Sequence, residues 1–330
     1  MTRSSASSMA PHSRDLRRRL VRAAVPLFLG ALLVAFGRHV NWHAAAAAIR
    51  SADAALLLLA LVANQLSLAL KGVRWWVFLR PLGIRSLSLV LRATFAGASL
   101  NNLMVAQGGE GARVLLVSRA TGVSSARVTA ALALERVLDA ASYLTLLVSA
   151  VWVLDLSDSI ARWRGAASIA LAALILALSV LSRSNPRDGK SERAVSPFRA
   201  YTRRFADSVS DLASPGRLAS GMLLSLGAWA LQVVTYHLVA RAAHLPISLS
   251  GSVSAMLAVG ISFLVRATPG NVGVFQAVYA VTVARFGIAE SPAVAAALLI
   301  QTIQVIPVIV IGTLLAPTLR RQRPLDSARE

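Results

Sequence analysis

Apolar segments long enough to cross a lipid bilayer recur along the whole chain. A helix needs about 20 residues to span about 30 Å of hydrocarbon. Only 15% of the 330 residues are charged, whereas soluble domains have about 25%. The sequence therefore predicts an all-α, polytopic helical membrane bundle with about six full spans: 23–37, 54–70, 128–154, 165–181, 218–240 and 293–315.

Lysine and arginine are distributed unevenly between the loops, and this predicts the orientation. Residues 1–22 hold 6 of them and residues 183–217 hold 8, whereas 155–164 hold 2 and 241–250 hold 1. Because cytoplasmic loops carry the excess of positive charge, both termini and the 183–217 loop are predicted to be cytoplasmic.

The predicted organisation is a basic tail (1–22), one membrane domain (23–316) and a second tail (317–330), in the cell (inner or plasma) membrane. Residues 1–37 also resemble a secretory signal peptide, but the apolar segments that follow favour a first anchoring helix. A net charge of +20 would suggest a nucleic-acid partner in a soluble protein. Here almost no soluble segment could form such a surface, so no nucleic acid is expected.

Two further apolar regions, 86–107 and 252–286, are interrupted by polar, Gly and Pro residues. The orientation requires 71–92 and 107–127 to lie on the same side, so 86–107 is predicted to enter the membrane and return. The arms of 252–286 have about 13 residues each, too few to span at about 1.5 Å per residue. We therefore predict two re-entrant hairpins from opposite faces, giving 8–9 apolar segments in all. Opposed broken helices indicate a substrate site near the midplane.

Charged residues inside apolar segments need a specific explanation. Glu135, Arg136 and Asp139 lie within 128–154, and Glu135 and Asp139 share one helix face at spacing i, i+4,. Arg266 lies in the middle of 252–286. Four such charges, if unpaired, would cost roughly 10–14 kcal/mol at the centre of a membrane. They are therefore expected to pair, to face water or to contact a substrate.

Arg266 has no acidic residue near it in the sequence, because no Asp or Glu occurs between Leu212 and Ala289. It must pair with Glu110, Glu135 or Asp139 from elsewhere in the bundle, or with an anionic ligand. Both remain open, since a salt bridge is common and arginine is also well suited to bidentate contact with phosphate. The segment that follows Arg266 is Thr268-Pro269-Gly270-Asn271-Val272-Gly273.

The predicted tip of the first hairpin, 101–113, is polar where a membrane helix should be apolar. It contains Asn101, Asn102, Gly109, Glu110 and Arg113. Glycines expose N–H groups that could hold a phosphate, although a simple cytoplasmic turn would use them too. This segment is a second candidate contact for the headgroup.

Lys71, Arg74, Trp75 and Trp76 follow the second apolar segment. Basic and aromatic residues are typical of the membrane–water interface. We therefore predict an interfacial anchor in preference to a substrate contact.

No group of residues indicates a catalytic, metal or cofactor site. The chain has no cysteine, and its five histidines lack metal-ligand spacing,. It has no P-loop and no dinucleotide fingerprint. Glu135 and Asp139 could form a carboxylate pair, but Arg136 and the surrounding apolar residues favour a buried ion network.

Taken in order, these motifs resemble the lysylphosphatidylglycerol synthase transmembrane-region family, whose members are also described as flippase-like. The resemblance covers about residues 20–316. It is carried by Arg74, Trp75, Asn101, Asn102, Gly109, Glu110, Arg113, Glu135, Arg136, Asp139, Trp229, Gln232, Tyr236, Thr268, Pro269, Gly270, Gly273 and Phe275. Three positions depart from the family pattern: it often has Pro at Val105, Arg at Gln107 and Glu at Gln276.

The resemblance implies a lipid-handling membrane domain that translocates lipid between leaflets. Aminoacyl-phosphatidylglycerol synthases carry a soluble catalytic domain after the similar region. The present chain ends 14 residues past Ala316, so we expect no synthase activity from it alone.

We therefore expect a protein that binds and translocates an anionic lipid without a cofactor. Arg266 and Arg113 would contact the phosphate, and Glu135, Arg136 and Asp139 would set the charge of the cavity. The predicted site also includes Asn101, Asn102, Gly109, Glu110, Pro269, Gly270 and Gly273. One alternative is a non-catalytic accessory subunit whose 183–217 loop docks a separate synthase or glycosyltransferase. Another is a proton-coupled transporter of small solutes.

Overall fold

The protein is helical throughout the residues that the structure describes. A computed structural model describes residues 42–103, 108–153, 164–183, 205, 207–209, 211–263 and 271–320. They contain no β-strand, which confirms the all-α fold class. The α-helices within them are α1 (Trp42–Arg50), α2 (Ala54–Leu79), α3 (Leu87–Leu103), α4 (Gly108–Thr121), α5 (Ser125–Val153), α6 (Arg164–Arg183), α7 (Pro215–Ala242), α8 (Leu249–Ser262), α9 (Val274–Ala284) and α10 (Glu290–Arg320).

Four of the predicted spans are confirmed as helices long and apolar enough to cross a membrane. They are Ala54–Leu82, Ser125–Val153, Pro215–Ala242 and Glu290–Leu315. The predicted span 165–181 is also helical, as α6. The predicted first span, 23–37, lies outside the described residues.

The second span is longer than predicted, and this changes the position of its basic end. Asp53 fixes the start of α2, because its carboxylate accepts hydrogen bonds from the N–H groups of Ala55 (2.8 Å) and Leu56 (3.1 Å),. The helix does not end near Leu70 but continues to Leu79, and a 3₁₀ turn with Gly83 in the left-handed conformation follows it. Lys71, Arg74 and the two tryptophans are therefore part of a spanning helix.

Helices α3 and α4 form a helical hairpin whose turn coincides with the predicted tip at 101–113. Asn101 near the end of α3 accepts a hydrogen bond from the N–H of Gly109 at the start of α4. Leu89 and Ala96 on α3 pack against Leu116 on α4. Residues 86–107 were predicted to enter and return by themselves. In the structure they supply one helix of the hairpin, and the other is α4, from the segment 107–127 that was predicted to be cytoplasmic.

Helices α8 and α9 form the second hairpin, with arms close to the predicted lengths. Gly251 near the start of α8 lies beside Phe286, just after α9. At the other end, the ring of Phe263 meets the ring of Phe275 at 6.2 Å. The two short helices are therefore antiparallel, and residues 264–270 between them lie outside the described residues.

Two hydrophobic clusters hold the bundle together. One joins the second hairpin to α7 and α10 and contains Phe275, Tyr279 and Ile300. The other lies where α2 meets α3, α4 and α5, and it contains Trp75 and Phe78. The charged residues of the membrane region lie beside the second cluster.

Candidate functional site

Arg74 lies at the centre of a buried ion cluster between α2, α5 and α7. Its side chain is fully buried. Its Nη1 donates hydrogen bonds to Asp139 Oδ1 (2.8 Å) and to Ser225 Oγ (2.5 Å). Its Nη2 lies 3.1 Å from Glu135 Oε1, an ion pair without hydrogen-bond alignment. The predicted interfacial anchor is therefore wrong for Arg74, which is a core residue bound by two carboxylates.

The first hairpin contributes a second arginine to the same cluster. Arg113 on α4 donates to both carboxylate oxygens of Glu135, with Nη2 at 3.0 Å from Oε2 and Nη1 at 3.4 Å from Oε1. Its guanidinium carbon lies 4.1 Å from the centre of the Trp75 ring, a distance typical of cation–π contact. Trp75 is fully buried, so the anchor interpretation fails for it as well.

A third arginine, Arg136, joins α5 to α4 near the surface. Arg136 lies 2.5 Å from Glu110 and 3.6 Å from Asp139, and its side chain is 47% exposed. Pairs with this much exposure contribute little to stability. The cluster thus has a buried part around Arg74 and Glu135 and a more accessible edge at Arg136.

The spacing of the acids explains how one arginine reaches both of them. Glu135 and Asp139 are one turn apart on α5, so both side chains face α2. They lie about 15 and 21 Å along the axis from the start of α5 at 1.5 Å per residue,. The structure contains the ion network predicted for Glu135, Arg136 and Asp139, but only part of it is buried. Glu135 and Asp139 are enclosed with Arg74 and Arg113, whereas Arg136 lies at the exposed edge.

Two glycines let the first hairpin close at this point. A Cβ atom on Gly109 would overlap the carbonyl oxygen of Gly97, and one on Gly97 would lie 2.7 Å from the carbonyl oxygen of Gly109. The close approach of α3 and α4 brings Arg113 toward Glu135. Asn101 bonds across this contact, and Asn102 lies partly buried on the next position of α3.

The other predicted site residues belong to the second hairpin. Gly273 has φ of 86° and precedes α9, where its N–H donates to Gln276 Oε1 at 2.6 Å. Gln276 also donates to Gln301 on α10. This neutral amide stands where the family often has a carboxylate. Arg266, Pro269 and Gly270 lie outside the described residues.

A network of uncharged side chains, which the sequence analysis missed, connects α2, α7 and α10. Gln232 Nε2 donates to Asn64 Oδ1 and Ser67 Oγ, both at 3.1 Å. Gln304 Nε2 donates to Gln232 Oε1 at 3.0 Å. A sequence signal was present, because Asn64, Ser67, Lys71 and Arg74 recur at intervals of three and four residues. One face of α2 is thus polar over about 15 Å.

Aromatic rings connect the ion cluster to the second hairpin. The ammonium of Lys71 lies 5.2 Å from the centre of the Trp229 ring. Trp229 meets Tyr143 edge-on at 5.2 Å, and the Tyr143 hydroxyl donates to the Leu257 carbonyl on α8. Gly260 also packs against the Tyr143 ring. The contacts therefore lead from the cluster to the arm of α8 that precedes Arg266.

An apolar cleft lies next to the cluster, between α5, α6 and α7. Its volume is about 390 Å³, and Leu138, which precedes Asp139, is one of its walls together with Ala141, Ile175, Leu178, Leu218 and Met222. Charged and apolar surfaces thus lie on adjacent faces of the same helix, α5.

A family model described as Lysylphosphatidylglycerol synthase TM region matches residues 23–312. The chain belongs to this family. The match covers both hairpins and every residue of the ion cluster, so the cluster is part of the family's membrane region. Among curated proteins no relative matches the chain.

The structure thus brings one group of predicted site residues together and leaves others apart. Glu110, Arg113, Glu135, Arg136 and Asp139 form a single cluster with Arg74. Asn101 and Gly109 lie at the crossing of α3 and α4, and Gly273 lies in the other hairpin. Among the residues that the structure describes, no group of His, Asp and Glu could hold a metal ion.

Proposed function

We propose that this protein binds an anionic lipid and translocates it between the two leaflets of the cell membrane. The proposal rests on one observation: each of the three carboxylates that could have neutralised Arg266 is already paired with another arginine. Glu110 is paired with Arg136, Asp139 with Arg74, and Glu135 with Arg74 and Arg113. Because no acid of the cluster is left over, an external anion is the best partner for Arg266.

Phosphate on a lipid fits this requirement better than a free solute. Arginine binds phosphate through parallel N–H contacts. The chain that precedes Arg266 packs against Tyr143, one turn beyond Asp139. An apolar cleft lies beside the cluster, so the cationic residues could bind the headgroup while the cleft binds an acyl chain. Arg113 could contact the phosphate only if its ion pair with Glu135 were broken.

Translocation would use the two hairpins as moving parts. Short, interrupted helices at membrane depth are typical of transporters that alternate access around a central site. We propose that α3–α4 and α8–α9 are re-entrant from opposite faces and that both termini are cytoplasmic, as the basic loops favour. The protein would act as a carrier and not as an enzyme, moving lipid that a separate synthase or transferase makes or uses.

The test is the leaflet accessibility of a labelled anionic phospholipid in liposomes that contain the pure protein. The wild type should expose inner-leaflet lipid to an external quencher, and Arg266→Ala should abolish this exposure. Arg241→Ala is the matched control, because Arg241 lies in the same acid-free stretch but is exposed at the end of α7. A fully active Arg266→Ala protein would refute the phosphate role. A wild type that matches empty liposomes would refute translocation.

A further inference from the structure

Lys71 is the cation of the cluster that no carboxylate pairs with, as far as the described part of the chain extends. The three arginines are committed to acids: Arg74 to Glu135 and Asp139, Arg113 to Glu135, and Arg136 to Glu110. No ion pair joins the ammonium of Lys71 to any of these carboxylates. The Lys71 ammonium nitrogen lies over the face of the Trp229 ring, 5.2 Å from the ring centre.

With every ionisable group charged, the cluster as a whole carries one surplus positive charge. Lys71 and the three arginines contribute four positive charges, and Glu110, Glu135 and Asp139 contribute three negative ones. A charge that lacks a counterion is costly at membrane depth. A phosphodiester carries one negative charge, so a single bound headgroup would neutralise the cluster.

The position of Lys71 leaves part of its side chain exposed. It lies about 12 Å from the end of α2, at 1.5 Å per residue,. Unlike Arg74, one turn away, it is only partly buried. Trp229 is also partly buried, and it lies between Lys71 and the Tyr143 contact with α8. Lys71 therefore faces the region between the cluster and the second hairpin.

The chemistry of lysine suits this position. Of the 34 basic residues only two are lysines, Lys71 and Lys190, so this site has an ammonium in a chain that otherwise uses guanidinium groups. An ammonium is a compact charge with three donors on a flexible stem, whereas a guanidinium presents a rigid fork. A flexible donor can remain in contact with a phosphate that changes position.

We propose that Lys71 binds the phosphate of the transported lipid, with the Trp229 ring holding the ammonium in place. This inference rests on the proposed function and names the residue at which the ion cluster meets the headgroup. The arginines of the cluster then position the helices, and Lys71 makes the contact. The shared chemistry is a phosphate anion, which a lipid or a free phosphate could supply.

The experiment measures binding in detergent, separately from transport. A fluorescent short-chain phosphatidylglycerol is titrated against the wild type, Lys71→Gln, Lys71→Arg and Arg80→Gln. Arg80→Gln is the matched control, because Arg80 is an exposed cation just after α2 that lies 4.9 Å from the centre of the Trp76 ring and has no ion pair with the cluster. Diacylglycerol with the same chains and inorganic phosphate serve as competitors, and melting temperature reports folding.

Lys71→Gln should weaken phosphatidylglycerol binding about tenfold or more, the effect of losing one charge-assisted hydrogen bond. Lys71→Arg should retain most of the affinity, and Arg80→Gln should bind as the wild type does. Diacylglycerol should compete poorly. Undiminished binding by a folded Lys71→Gln protein would overturn the inference, and so would equal loss in Arg80→Gln. Inorganic phosphate that competes as well as the lipid would overturn the lipid assignment.

The two proposals fail in distinguishable ways. If the wild type binds and translocates phosphatidylglycerol while Lys71→Gln does both equally well, only the role of Lys71 is refuted. If binding depends on Lys71 but liposomes show no translocation, the contact stands and the transport function falls.

Discussion

Replacing Glu135 with glutamine should be the most damaging single change in the ion cluster. Gln keeps the size of the side chain and one carbonyl oxygen but removes the charge. Glu135 accepts hydrogen bonds from both terminal nitrogens of Arg113 and forms an ion pair with Arg74. Without it, Arg113 has no carboxylate partner in the described part of the chain, and Arg74 retains only Asp139.

The size of the stability loss follows from the burial of Arg113 and Arg74, which would lose a carboxylate partner. Arg113 is only 5% exposed and Arg74 is fully buried, and removing one partner of a buried ion pair costs about 3–5 kcal/mol. Asp139→Asn provides the comparison. Its side chain is 17% exposed, Arg74 would keep Glu135, and Arg136 would keep Glu110. Asparagine keeps an amide oxygen that can accept from Arg74, so the loss should not exceed that of one hydrogen bond to a charged group, about 1.5–3 kcal/mol.

The measurement is the free energy of unfolding in mixed detergent micelles, followed by helical circular dichroism during titration with sodium dodecyl sulfate. Glu135→Gln should unfold more easily than Asp139→Asn by about 2 kcal/mol, the difference between the centres of the two ranges. Adding Arg113→Gln to Glu135→Gln should recover part of the loss, because the unpaired buried charge is then removed. Equal destabilisation by the two acid variants, or no recovery in the double variant, would refute this account of the cluster.

Two further changes test the packing around the site. Gly109→Ala should destabilise the protein by about 1–3 kcal/mol in the same unfolding assay, because the added methyl group would overlap the carbonyl of Gly97,. Gly111→Ala is the control: its methyl group would meet open space, and it should be neutral or slightly stabilising. Gln232→Leu should cost about 1–2 kcal/mol by the same assay, since it removes three interhelical hydrogen bonds,; a stability equal to that of the wild type would show that the amide network does not hold α2, α7 and α10 together.

The sequence was sufficient to name five of the six residues that form the ion pairs, all except Arg74. Glu135, Arg136 and Asp139 stand out because charges are rare in an apolar segment, and their spacing places both acids on one face. Arg74 was misassigned because a basic residue followed by two tryptophans also occurs at membrane surfaces. What distinguishes the two cases is the helix that packs against Arg74, and that long-range contact has no local signal.

The sequence analysis placed α4 outside the first hairpin, and here too the contacts that correct the prediction come from distant residues. Helix α4 contains three glycines, Glu110 and two arginines within 14 residues, a composition typical of an exposed loop. Glu110 and Arg113 are neutralised by partners from α5, and the buried apolar face of α4 is small, with Val114 and Val117. A segment whose polarity is satisfied by distant residues cannot be distinguished from a cytoplasmic segment by hydropathy alone.

The position of Arg74 in the chain has a consequence for synthesis. Asp139, its partner, follows 65 residues later, and at about 5–20 residues per second a ribosome needs about 3–13 s to make the intervening chain. For most of that interval Arg74 has neither of its two carboxylate partners, Glu135 and Asp139. We expect α2 to remain shallow in the membrane until α5 emerges, so that the pairing of Arg74 completes its insertion and fixes the order in which the bundle assembles.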